Sequence, residues 1–223
     1  MFFDPLYFIV IAPALLLGFV AQMMVKSAYS RTQQVAARMS GFAASRRILD
    51  SAGLSDVRIE QTPGYMSDHY DPRHKVLRLS GEVYHGRTMA AVGIAAHEAG
   101  HAIQDAKRYL PLVVRNFAVP AANFGSNAGM LMAIAGLIFN FQPLVWFGII
   151  LFSGVVVFQI VNLPVEFDAS ARAKVCLVEQ GIIDRQELPW VKKVLNAAAL
   201  TYVAATLQAI LTLLYLIMRA GRR

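Results

Sequence analysis

Residues 88–107 read TMAAVGIAAHEAGHAIQDAK, a run of good helix formers with His97, Glu98 and His101 at its centre. On a helix of about 100° per residue, His97 and His101 lie about 40° apart on one face, with Glu98 about 60° to one side of His101. Two imidazoles on one face can share one zinc ion and leave a position for water, whose pKa then falls towards ~7. A carboxylate beside that water can take its proton and pass it on to a leaving amine. The small residues Ala95, Ala96, Ala99, Gly100 and Ala102 surround the motif, and the expectation is that they leave room for a substrate.

Outward from this helix the chain is strongly apolar. Of its 223 residues 57% are hydrophobic, and the mean hydropathy of +0.48 points to a membrane protein rather than a soluble domain. A single cysteine, Cys176, excludes an intrachain disulfide framework, and its small-residue surroundings suggest packing rather than ligation. The net charge of +7 comes without an aromatic-interleaved basic stripe, so no nucleic-acid partner is expected.

Four uncharged stretches are long enough to cross a ~30 Å hydrocarbon core as helices: 6–25, 117–139, 144–163 and 197–218. The leading MFFDP has no basic residue and no A-x-A site follows, so the first stretch reads as a span rather than a signal peptide. Pro13 should kink it. In the second, Gly125 and Gly129 have the small-xxx-small spacing of close helix contacts, and Asn140 to Pro143 reads as the turn of a hairpin with the third. In the fourth, Gln208 is expected to hydrogen-bond a neighbouring helix.

Between the spans lie two polar portions, 26–116 and 164–196. The first opens with an expected amphipathic helix over 27–52, stopped by Gly53, followed by strand-like alternation at Val57 to Glu60 that ends at Thr62-Pro63-Gly64. The run 75–80 (KVLRLS) also has strand character. Such a strand beside the zinc helix either offers its edge to an extended peptide or packs as an ordinary hairpin strand. The second portion begins with a helix from Val165 to about Glu179, turns at Gly181 and continues through 184–193.

Two histidines do not complete a zinc site. Glu166 is the preferred third ligand, because Ala169, Ser170 and Ala173 follow it at helical spacing and form a small face able to press against the HEAGH helix. His69, Asp71, His74 and His85 compete from upstream. Asp168 and Arg172 either orient the ligands or belong to a solvated face. Topology favours Glu166 independently, since the hairpin returns 164–196 to the side that holds 26–116. That side carries 18 of the 21 lysines and arginines, which makes it cytoplasmic by the positive-inside rule. Arg219, Arg222 and Arg223 oppose this orientation, so either the last helix stops short of crossing or the larger bias overrides a short tail.

The segments SDHYDPRHKVLRLSGEVYHGRTMAAVGIAA, HEAGHAIQ and NLPVEFDASARAK together resemble the bacterial YugP-type neutral zinc metallopeptidases, over nearly the whole chain. That family looks related to the HtpX-like integral-membrane proteases, which are gluzincins. The resemblance implies His97, His101 and Glu166 as ligands of one zinc ion and Glu98 as general base. HtpX-like sequences have an aspartate four residues after the ligand glutamate, where this chain has Ser170, which implies a different partner for the ligands.

The resulting expectation is a mainly α, single membrane-integrated metallopeptidase domain over 1–223, with about four spans and a small α+β zincin-like catalytic region. Its substrates would be peptides of membrane or misfolded proteins, and its location the bacterial inner membrane. Tyr84 and His85 stand as candidates for an oxyanion helper by sequence proximity alone. Three rivals use the same residues differently: a non-catalytic zinc-binding scaffold, a zinc hydrolase of lipids or small amides, and a transporter with incidental histidines. Intact Glu98 argues against the scaffold, because a structural zinc site has no use for a base.

Overall fold

The computed structural model describes residues 4–221. The leading residues 1–3 of the signal-peptide argument and Arg222 and Arg223 of the charge argument lie outside them. The chain is mainly helical. Among the described residues eight α-helices and three strands follow in order: α1 Pro5–Thr32, α2 Gly41–Ser51, β1 Arg58–Thr62, β2 His69–Asp71, β3 Val76–Ser80, α3 Gly81–His85, α4 Met89–Ala106, α5 Leu110–Phe124, α6 Met130–Ile138, α7 Gln142–Glu179 and α8 Leu188–Gly221. A π-helical turn, Gly125–Gly129, joins α5 to α6.

Two compact units divide these elements. One takes the segment up to Ala21, Leu110–Pro164 and the segment from Leu200. Helices α1, α7 and α8 are long and apolar enough to cross a membrane, and the pair Leu110–Pro120 and Ala122–Ile138 makes a fourth candidate, bent by 43°. The helices that carry the expected second span therefore begin at Leu110, and they are bent rather than straight. Pro120 explains the bend, because it removes a backbone donor and its ring crowds the preceding turn. Ile9, Leu16, Phe19, Phe117, Ile150 and Val157 point large apolar side chains outward from this unit, as hydrocarbon allows and water disfavours.

Inside the unit, the glycine spacing has the expected effect. A Cβ on Gly125 would stand 2.3 Å from the carbonyl oxygen of Leu151, and one on Gly148 2.4 Å from the nitrogen of Ala133, so the hairpin arms pack backbone to backbone. Asn140, with φ of 55°, makes the turn between them. Gln208 does not make the expected interhelical bond: it is exposed, and Thr206 Oγ1 instead approaches the Gln159 carbonyl at 3.3 Å. Thr206 is the buried polar group, so it is the one that needs a partner.

The other unit takes Gln22–Tyr109 and Val165–Ala199. The single helix expected over 27–52 is two elements. The first ends at Thr32, and the chain runs extended past Ala36, which bridges Thr88, before Ser40 starts α2 by accepting from the Ala43 nitrogen. Helix α2 then lays Ala44, Ile48 and Leu49 against Val92, Ala95, Ala96 and Ala99 of α4 in one core.

The sheet has the order β1-β3-β2, with β1 parallel and β2 antiparallel to β3. Strand β2 had no periodic signal, because it holds only three residues. Its pairing decides between the two readings of 75–80 in favour of a packed strand: β3 is central, bonded on both sides, and has no free edge to offer. Val76, Leu77 and Leu79 are fully buried, as a central strand covered by helices requires. The turn into β3 is set by Asp71, whose Oδ1 accepts from the Arg73 and His74 nitrogens, and by Lys75 at φ of 50°.

Candidate metal centre

Helix α4 starts at Thr88, whose side chain accepts from the Ala91 nitrogen, and ends at Lys107 before Arg108 turns left-handed at φ of 49°. Its middle is pressed against α7. A Cβ on Gly100 would fall 2.7 Å from the carbonyl oxygen of Ala169, so only glycine permits this approach at the fourth position of the motif. Ala95, Ala96, Ala99 and Ala102 are likewise buried at 0–1% exposure. These small residues serve helix packing, which corrects the expectation that they leave space for a substrate.

The close approach brings Glu166 to the two histidines. Its Oε2 lies 3.3 Å from His97 Nε2 and 3.7 Å from His101 Nε2, and the ligand atoms of the three residues fall within 4.8 Å of one another. Side-chain exposure is 14% for His97, 10% for His101 and 5% for Glu166, so water can supply little of what these groups need.

Each imidazole is held through its other nitrogen. His97 Nδ1 is 3.1 Å from Ser170 Oγ, and His101 Nδ1 is 3.0 Å from Gln104 Oε1. Gln104 Oε1 accepts, so His101 Nδ1 carries the proton and its Nε2 lone pair faces Glu166 Oε2, which is buried without a hydrogen-bond donor; with Ser170 accepting from His97 Nδ1, His97 Nε2 faces it in the same way. Three acceptors facing one another in a buried site repel unless a cation lies among them. Atoms bound at 2.0–2.1 Å around a tetrahedral zinc stand ~3.4 Å apart, close to the two spacings here. The donor set therefore fits zinc. Counting side chains alone, burial lowers the pKa of His101, but Glu166 and Glu98 outweigh it and raise the value, as the negative field of a cation site should.

Glu98 is buried at 9% exposure on the same helix, one residue from His97. Asp68, which sequence reading did not single out, stands within its electrostatic reach. Burial raises the Asp68 carboxyl above its usual value, the Ser80 N–H and O–H bonds pull it back, and the Glu98 charge pushes it up. It sits in a turn-rich loop without periodicity, where the chain offers no signal for it. Gln104 was also missed, although its position three residues after His101 on the same helix face was the clue.

The competing ligands are elsewhere. His69 Nδ1 contacts the Ser67 carbonyl, His74 pairs with Asp71, and His85 Nε2 contacts Gln61. Among the described residues none of them, nor Asp71, joins the cluster of His97, His101 and Glu166. Asp71 is held well below the ordinary carboxylate value by His74 and Arg78, which marks it as a β-turn anchor. Tyr84 stacks on Phe42 within the core margin, so neither suggested oxyanion helper is directed by a contact to the cluster. Asp168 and Arg172 form an ion pair, with Asp168 accepting from Gln104.

A helical membrane protein that gathers H-E-x-x-H and a buried third carboxylate has the build of a membrane metallopeptidase. The chain belongs to the family described as "Putative neutral zinc metallopeptidase", whose model matches residues 7–221. It is similar to the "Putative membrane protease YugP" of Bacillus subtilis (strain 168), with 46% identity over 207 residues, 92% of each chain. No solved structure matches the chain.

Proposed function

We propose that the chain is a zinc-dependent membrane endopeptidase of the gluzincin type, with one zinc per chain held by His97, His101 and Glu166. The observation that carries this reading is the buried, donor-less Glu166 Oε2 facing two imidazole nitrogens whose other ring atoms are already engaged. When bound there, zinc lowers the pKa of water and polarises a peptide carbonyl. Glu98 then acts as general base and acid: it takes the proton of the attacking water and delivers it to the amine as the peptide bond breaks. Ser170 and Gln104 hold the imidazoles in the tautomer that leaves Nε2 unprotonated.

The substrate is an extended peptide from a membrane or misfolded protein, laid along the outer edge of β2. That edge pairs with no other strand among the described residues. Asp68 at its start feels the charge of Glu98, and Tyr70 within it donates to Asp105 on α4, so the strand runs beside the motif helix. Main-chain bonds to such an edge are indifferent to substrate sequence. The family model's run from 7 to 221 supports reading both units as parts of one metallopeptidase domain, with a small α+β zincin-like catalytic region. The charge bias supports a bacterial inner-membrane location with the site on the cytoplasmic side.

The test is zinc content and casein cleavage in detergent for wild type, Glu98→Gln and Glu166→Ala. The expected result is zinc retained and cleavage lost by at least about 100-fold in Glu98→Gln, the scale of a general base, with zinc weakened in Glu166→Ala. Cleavage by Glu98→Gln at the wild-type rate would overturn the mechanism. Equal zinc in all three with no cleavage would favour the scaffold reading.

A further inference from the structure

Gln104 is a large polar side chain with no exposure at all, and every polar atom of its amide is used. Oε1 lies 3.0 Å from His101 Nδ1, while Nε2 donates at 2.8 Å to the Val165 carbonyl and at 2.8 Å to Asp168 Oδ2. Asp168 is bound in turn by Arg172, whose Nε lies 2.6 Å from the same Oδ2, and the Arg172 guanidinium sits 5.8 Å from the Tyr109 ring centre.

This arrangement admits one orientation of the amide. A carbonyl oxygen and an ionised carboxylate are acceptors only, so the NH2 end of Gln104 must face Val165 and Asp168. Its oxygen is then left facing His101, and an oxygen there needs Nδ1 of His101 to carry the proton. The Nε2 lone pair is thereby turned toward Glu166. The same NH2 binds the carbonyl of the residue that precedes Glu166, so one side chain sets both the tautomer of a histidine and the distance between the two helices that meet at the cluster.

We infer that Gln104, oriented by Asp168, is a positioning residue for the metal centre, fixing the tautomer of His101 and the approach of α7 to α4. The inference rests on His97, His101 and Glu166 holding zinc. Arg172 stands one step further out, and its ion pair is about one-quarter exposed, so its removal should matter least.

The experiment measures zinc affinity by chelator competition, the visible spectrum of the cobalt-substituted protein, and the unfolding temperature of metal-stripped protein, all in detergent. The variants are Gln104→Leu, Gln104→Glu, Asp168→Ala and Arg172→Gln. Gln104→Leu keeps the volume but removes the acceptor, and zinc affinity should fall about 10- to 100-fold with an altered cobalt spectrum. Gln104→Glu keeps an acceptor at Nδ1 but turns its second oxygen toward the Val165 carbonyl and Asp168, so it should lose less zinc affinity than Gln104→Leu without reaching wild type, a partial rescue that packing alone would not produce. Asp168→Ala removes one of the two acceptors that hold the amide and should lose several-fold, and it decides the matter if Gln104→Leu does not fold; Arg172→Gln should lose less. Unchanged zinc affinity in folded Gln104→Leu, or in Asp168→Ala, overturns the inference, as does a loss in Gln104→Glu equal to that in Gln104→Leu. Wild type that binds no zinc would instead overturn the proposed function, so the two failures are separable.

Discussion

Ser170 is placed to support one of the imidazoles of the proposed zinc site. Its hydroxyl stands 3.1 Å from His97 Nδ1, within hydrogen-bond distance. Ser170→Ala should therefore weaken zinc by about 10-fold or more, and Ser170→Asp should restore it; chelator competition reads both, and unchanged affinity in Ser170→Ala would contradict the role. Asp68 makes a second prediction at this scale. Its folded pKa is raised above the ordinary 3.8, chiefly by burial, so the folded state prefers it protonated. The stability this contributes is present below 3.8 and is lost as pH rises through the folded value. Asp68→Asn cannot ionise, so its unfolding temperature should exceed that of wild type at pH 7 and the gap should close as pH falls toward 3.8. A gap that widens on acidification would reverse the sign. Of these residues only Ser170 was visible in the chain. Asp68 gains its meaning from Ser80 and Glu98, 12 and 30 positions away, and no local pattern encodes such a meeting.

Between elements, the decisive contact is α4 on α7. The small face at Ala169, Ser170 and Ala173 was legible because helical spacing places these residues on one side, and the structure packs that side where expected. What spacing did not reveal is that the motif's own glycine answers it. Gly100→Ala puts a Cβ 2.7 Å from a backbone oxygen, which cannot move aside as a side chain can. The expected cost is about 1–3 kcal/mol in stability, together with weaker zinc binding, because Glu166 moves away with its helix. Thermal unfolding and zinc titration on the same protein check this, and a variant as stable as wild type with full zinc would refute the contact. The break between α1 and α2 and the placing of β3 at the centre of the sheet were not legible. Apolar periodicity runs through 27–52 on both sides of Thr32, and strand order depends on which partner each edge finds.

For the whole molecule, three long apolar helices and a bent fourth agree with the spans read from hydropathy, since length and composition are sums over many residues and survive local error. The proposed orientation is testable on a background in which Cys176 is replaced by serine. A membrane-impermeant thiol reagent added to spheroplasts should label Asn140→Cys in the hairpin turn and leave Lys75→Cys in the sheet turn untouched; the opposite pattern would place the catalytic side outside.

By itself the sequence pointed to the proposed metal motif, to the candidate spans and to Glu166 as the carboxylate that the structure brings beside His97 and His101. Each depends on residue type at a fixed helical or hydrophobic period, and such periods act over one or a few turns of chain. Only the tertiary structure decided that Gln104 and Ser170 stand against the imidazoles, that Asp68 neighbours Glu98, and that β1 and β2, not β3, lie at the edges of the sheet. Apart from Gln104 and His101, three positions apart on one helix, those are relations between residues a dozen to tens of positions apart. They exist only after apolar burial has packed the helices and strands that carry them.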